Sequence, residues 1–171
     1  RDSLQDDWGY TLIDPELAKL RLCEILSYQC KDGTAPRNFS AFGDGRHDMR
    51  RFMDSPVWIA RTLMDLIKET GDFSILDRKI PFVDGGSASI DDHIWRALDY
   101  LFTHRGKHGI CLTGDGDWND ALEGISKQGD AESLWLTQSI LLGDEKDMDD
   151  IVNAAEKVRE NVEKLMEPVD A

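Results

Sequence analysis

Three observations on this 171-residue sequence predict an all-α fold. Helix-start signals recur at intervals of roughly 40 residues, and the apolar residues behind each one keep a helical period. No alternating apolar–polar run extends beyond a few residues. Long loops rich in Gly, Asp and aromatic residues separate the helical stretches. Together these features predict stacked helical hairpins, either a solenoid or part of an α/α toroid.

Asp14-Pro15-Glu16 opens the first predicted helix with an N-cap, a proline at the first helical position and an acid in the first turn. Leu17, Leu20, Ile25 and Leu26 follow at helical spacing, and Gly33 is the expected stop. Ser55-Pro56 repeats the start signal, and Val57, Trp58, Ile59, Leu63, Met64 and Ile67 run on to Gly71. A third helix is predicted from about Asp91 to His104, with Ile94, Trp95, Leu98 and Leu101 inward. A fourth covers about Asp130 to Leu142. A fifth, from about Asp147 to Met166, lies in an acidic stretch at about 144–167 that carries no assigned chemistry. Residues 1–171 read as one domain or part of one. The opening at Arg1, inside a charged and patterned stretch, points to a cut through an element.

Composition narrows the function classes. Apolar residues make up 40% and charged residues 32%, a normal globular balance. The net charge of −14 argues against non-specific nucleic-acid or anionic-membrane binding, since both need a positive field, and it suits a neutral ligand such as a sugar. No apolar run approaches the roughly 20 residues that span a bilayer, and no signal-peptide pattern opens the chain. Cys23, Cys30 and Cys111 form no CxxC pair, so reduced, buried thiols in a cytoplasmic protein are expected.

The stretch Thr113-Gly114-Asp115-Gly116-Asp117-Trp118-Asn119-Asp120 packs three carboxylates, one amide, two glycines and a tryptophan together. Glycines permit tight turns. An exposed indole suits the C–H face of a pyranose ring. Asp120, two residues from Trp118, would point the same way in an extended loop and meet a sugar stacked there, as a general acid must. The charges of Asp115 and Asp117, with partial burial, would help Asp120 keep its proton. Asp115-x-Asp117-x-Asn119 also resembles the start of a calcium loop, but Asp120 and Ser126 stand where such a loop needs Gly and Glu, so no metal site is assigned. A surface loop with a buried tryptophan anchor is the remaining plain reading. His104-Arg105-Gly106-Lys107-His108 reads as a helix C-terminus capped at Gly106 more than as an anion site. His47 and His93 read as ordinary histidines, Asp44–Asp48 as a turn, and Asp91-Asp92-His93 as a helix cap.

Several short motifs in order resemble the catalytic domain of glycoside hydrolase family 94, the cellobiose and chitobiose phosphorylases and the phosphorylase-like part of cyclic β-1,2-glucan synthases. They are Arg1-Asp2-Ser3-Leu4-Gln5-Asp6, Asp54-Ser55-Pro56-Val57-Trp58-Ile59, Thr70-Gly71-Asp72 with Ile75-Leu76-Asp77, His108-Gly109-Ile110, Gly116–Asp120 and Glu132-Ser133-Leu134-Trp135-Leu136. The resemblance implies an (α/α)6 toroid, of which 1–171 would be a partial catalytic domain. It implies Asp120 as general acid, Trp118 lining the sugar subsite, and Arg1 and Asp2 binding sugar hydroxyls. The implied reaction is inverting phosphorolysis of a β-linked gluco-oligosaccharide, with inorganic phosphate as co-substrate and no other cofactor. Phosphate-binding residues would lie beyond this chain, and a homodimer is the implied assembly of the full-length parent. An inverting glycosidase on the same toroid and a non-catalytic sugar-binding module are the rival expectations.

Overall fold

The computed structural model describes residues 1–119 and 129–142. Among the described residues five helices carry the architecture: α1 (Asp2–Tyr10), α2 (Pro15–Leu26), α3 (Ser55–Thr70), α4 (Ile90–Thr103) and α5 (Leu134–Leu142). A short 3-10 turn, Phe73–Asp77, follows α3. The predicted fifth helix at about Asp147 to Met166 lies outside the described residues, as does Asp120.

The start and stop signals act largely as expected. Asp14 caps α2 by accepting from the Leu17 amide, with Pro15 in the first turn. Gly71 ends α3 in the left-handed conformation, which a residue with a Cβ adopts only at a cost. Ser89 caps α4 by accepting from the Asp92 amide, so Asp91 and Asp92 occupy the first turn rather than the cap itself.

Other expectations need correction. The all-α reading missed a small antiparallel sheet in which β1 (Lys79–Pro81) pairs with β2 (Ser87–Ser89), Lys79 opposite Ser89. Strands this short show no readable alternation. It also missed α1, whose polar sequence buries only Leu4 and Asp7 and offers no capping side chain. Ser55 is not the cap of α3. Asp54 holds that position. Gly33 does not end α2, which stops at Leu26. It sits instead in a turn at φ +92°, where a Cβ would come within 2.0 Å of the Arg96 carbonyl oxygen on α4. Gly106 does not cap α4; His104 does, and Gly106 packs on Glu132. The fourth predicted helix starts late, at Leu134. Residues 131–133 are held extended against the 111–113 segment, with Thr113 N donating to Ala131 O and Ser133 N to Cys111 O.

Helix α3 lies at the centre and packs against α1, α2, α4 and α5. One cluster joins Leu4, Leu22, Leu26, Ile59, Leu63, Leu66, Ile90 and Ile94 with the sheet residue Ile80. A second, beneath the loop layer, joins Met53, Tyr100, Leu101, Cys111, Leu136 and Ile140. Trp95 was expected inward but is exposed. It lies about 100° around the helix from Ile94, whereas Leu98 and Leu101 stay on the buried face. Leu17 and Leu20 likewise face outward, and Ala18, Leu22 and Cys23 form the buried side of α2. All three cysteines are free and buried. His93 is buried in the core, bonded to Gln29 Oε1 and the Ile80 carbonyl, and burial pushes its pKa down. His47 is a turn residue that accepts from the Ser40 amide.

Candidate active site

The glycines of the loop Thr113–Asn119 let it lie on the segment that leads into α3. Gly114, at φ +58°, leaves no room for a Cβ, which would meet the Arg51 carbonyl oxygen at 2.6 Å. A Cβ on Gly116 would meet the Phe52 ring at 2.6 Å. The two segments are laced by Asp115 N to Arg51 O at 2.9 Å, Met53 N to Gly116 O at 2.9 Å, and Arg51 N to Asp115 Oδ2 at 2.7 Å.

The carboxylates of the loop serve this scaffold. Asp117 is buried and accepts from Ser133 Oγ at 2.7 Å and from its own neighbour Asn119 N at 3.1 Å. Ser133 Oγ in turn accepts from Leu136 N, so one hydroxyl ties the loop to the start of α5. Asp115 and Asp117, ranked in the sequence as charges that would raise the pKa of Asp120, are thus both engaged by protein donors. Glu132 accepts from His108 N and pairs with His108 Nδ1, contacts that hold its carboxyl below the usual range. That pair ties the basic segment down.

Trp118 leaves the scaffold as a half-exposed indole, resting on Trp135 with ring centroids 6.1 Å apart; Trp135 in turn meets Trp58 of α3 at 6.4 Å. Arg1 Nη1 donates to the Trp118 carbonyl oxygen, and Arg1 Nε donates to Asp2 Oδ1 at 3.0 Å. Arg1, Asp2 and Trp118, although more than a hundred positions separate the first two from the third, therefore stand together. The fourth expected site residue, Asp120, lies outside the described residues. Beside this group opens a cavity of about 280 Å³ whose lining includes Arg1, Asp2, Tyr28, Phe39, Asp54 and Ser55.

Sequence reasoning assigned no site role to Asp54, Trp58 or Trp135. Asp54 is 1% exposed, and its Oδ2 lies 3.7 Å from Arg1 Nη1. Burial pushes its pKa up, against the pull of the amino group and guanidinium of Arg1 and of the Trp58 side chain. The only sequence signal for these residues was membership of the 54–59 and 132–136 motifs.

A half-exposed indole beside an arginine–aspartate pair that lines a polar and aromatic cavity on a helical scaffold is the candidate small-molecule site. Comparison with known proteins gives the family. Residues 1–170 match the profile described as "Glycosyl hydrolase 94 superfamily, catalytic domain", and the chain belongs to that family. A solabiose phosphorylase of Paenibacillus borealis is 40% identical over 137 residues, which covers 80% of this chain and 17% of that protein. A 3-O-beta-D-glucopyranosyl-beta-D-glucuronide phosphorylase of the same species is 34% identical over 152 residues, 82% of this chain and 19% of that protein. An N,N'-diacetylchitobiose phosphorylase of Vibrio furnissii is 30% identical over 146 residues, 71% of this chain and 18% of that protein. The chain thus spans less than a fifth of the length of these three relatives. Among the described residues no helix is long and apolar enough to cross a membrane.

Proposed function

We propose that this chain carries the sugar-binding and general-acid part of an inverting glycoside phosphorylase that cleaves a β-linked gluco-oligosaccharide. One observation supports the reading: the Arg1 side chain bonds the Trp118 carbonyl across 117 residues of sequence, so the Arg1–Asp2 pair stands beside the Trp118 of the pentad. Family membership and the phosphorylase relatives support the reaction class. The helical hairpins are read as part of an (α/α)6 toroid. The exposed apolar residues Leu12, Ile13 and Leu20 suit further helices packed outside them.

In this reading a sugar ring stacks on Trp118 while Arg1 and Asp2 hold its hydroxyls in a fixed orientation. An oxygen of inorganic phosphate attacks the anomeric carbon from the face opposite the leaving group. The glycosidic C–O bond breaks, and the proton of Asp120 passes to the departing oxygen. Phosphate arrives as an anion, so no second carboxylate has to activate it. The products are a sugar 1-phosphate of inverted configuration and a free sugar. No organic cofactor or metal takes part. The buried free thiols support a cytoplasmic setting, and a homodimer is the proposed assembly.

The test is to incubate the full-length protein with phosphate and a panel of β-linked disaccharides and to assay sugar 1-phosphate. Phosphate-dependent release is expected, reduced about 100- to 10,000-fold by Asp120→Asn. Release of free sugar alone, at a rate indifferent to phosphate, would make the protein a hydrolase instead.

A further inference from the structure

Asp14, Asp72 and Ser89 each turn a side-chain oxygen back onto the helical turn they open, accepting from Leu17 N, Ser74 N and Asp92 N. Asp54 opens α3 and does not. Its backbone is α-like, at φ −82° and ψ −21°, and its carboxylate makes no capping bond. A cap of this kind stabilises the helix it opens. Asp54 forgoes it and is buried as well. Its side chain, 2% exposed, lines the cavity beside Arg1 and Asp2, and Oδ2 has no hydrogen-bond partner. The capping use of an aspartate at a helix start is therefore absent, and the groups that act on its carboxylate are Arg1 and the Trp58 side chain one turn along α3.

The same Arg1 Nη1 that donates to the Trp118 carbonyl lies 3.7 Å from Asp54 Oδ2. A guanidinium is a rigid fork, so a charge on one side fixes the direction of its other bonds. Two further links run between the segments that carry Asp54 and Trp118. Met53, next to Asp54, donates its amide to the Gly116 carbonyl. Trp58, one turn along α3, reaches Trp118 through Trp135. We propose that Asp54 is a positioning residue: its buried carboxylate orients the Arg1 guanidinium on the Trp118 carbonyl, and so sets where the Trp118 indole stands against the sugar. The part played by the sugar rests on the phosphorylase reading. The hold on Trp118 does not.

Two measurements on the full-length protein test this. The first is a double-mutant cycle in phosphorolysis. Asp54→Asn and Arg1→Lys should each lower kcat/KM by up to about 100-fold, mostly in kcat, with the melting temperature within about 4 °C of wild type. If Asp54 acts through Arg1, the double variant is no worse than the poorer single variant. Effects that multiply overturn the proposal. The second measurement needs no activity. The difference in emission between the wild type and Trp118→Phe isolates Trp118. That component should become more accessible to acrylamide in Asp54→Asn, and equally so in Arg1→Lys, which keeps the buried aspartate if the first variant fails to fold. Unchanged quenching overturns the proposal. A wild type that makes no sugar 1-phosphate removes the phosphorylase reading, and the quenching result still decides the role of Asp54.

Discussion

Around α3 the chain is held chiefly by apolar side chains, with the Thr62 hydroxyl donating to the Leu4 carbonyl as a directional exception. Leu63, Leu66, Leu22, Leu26 and Ile94 are buried against one another, and any side chain of similar volume would serve. In the loop layer, from Arg50 to Asp54 and from Thr113 to Trp118, the opposite holds. Amides meet named carbonyls, glycines stand where a Cβ cannot, and Asp117 meets one serine hydroxyl. Apolar packing fixes where α3 lies. Directional bonds fix where Arg1 and Trp118 point. Two buried carboxyls show the same divide. Asp7, in α1, has neither oxygen bonded, and burial raises its pKa to about 7 against the pull of Arg21. Asp54, at the site, faces Arg1.

The comparison can be broken most forcefully at glycine. Gly33→Ala would drive a Cβ to 2.0 Å from a backbone oxygen that cannot swing away, and should cost about 4 kcal/mol in chemical denaturation. Its effect on activity should track the folded fraction alone. Gly114→Ala, at 2.6 Å from the Arg51 carbonyl, should cost somewhat less yet lower kcat even where fully folded. Equal kcat in the two folded variants would erase the distinction between layers.

Leu66→Ala probes the apolar body. It should cost about 3 kcal/mol and leave kcat of the folded protein unchanged. A tenfold fall in kcat would show that the body, too, aims the site.

Asp7 predicts an unusual pH dependence. Its folded pKa lies above the unfolded value of 3.8, so the native state holds a proton that the unfolded chain has lost. The associated stability is complete below that lower value and fades as pH rises toward about 7. Asp7→Asn removes the titration. Its stability relative to wild type should therefore improve by about 2–3 kcal/mol between roughly pH 5 and pH 8. A flat difference across that range would mean that Asp7 is solvated or paired.

Ser133→Ala has the smallest expected cost in stability, about 1–2 kcal/mol, from an Asp117 Oδ2 that loses its donor and a lost acceptor at the start of α5. Activity should fall more than that, because Asp117 holds the loop directly before Trp118. Ser133→Thr, which keeps the hydroxyl, should recover much of both.

Legibility in the sequence followed the range of the interaction. Helix starts at Asp14, Pro56 and Asp91, and the stop at Gly71, are written in adjacent residues, because capping and proline geometry act within one turn. The glycine-rich loop and its tryptophan were equally plain, and so was the family, through motifs kept in order along the chain. The inward face of α2 was less plain, since Leu17 and Leu20 share the helical spacing of buried residues without sharing their side. The late start of α5 could not be read at all, because strand-like pairing with residues 111–113 outweighs the local preference of 130–133. The sequence by itself thus determined the helical body, the glycine- and carboxylate-rich composition of the pentad and its family. The tertiary structure alone decided that Arg1 meets the Trp118 carbonyl, that Asp117 belongs to Ser133, and that Asp54 turns from its helix toward Arg1. Those contacts join residues 16 to 117 positions apart, and they exist only once packing around α3 has brought the segments together.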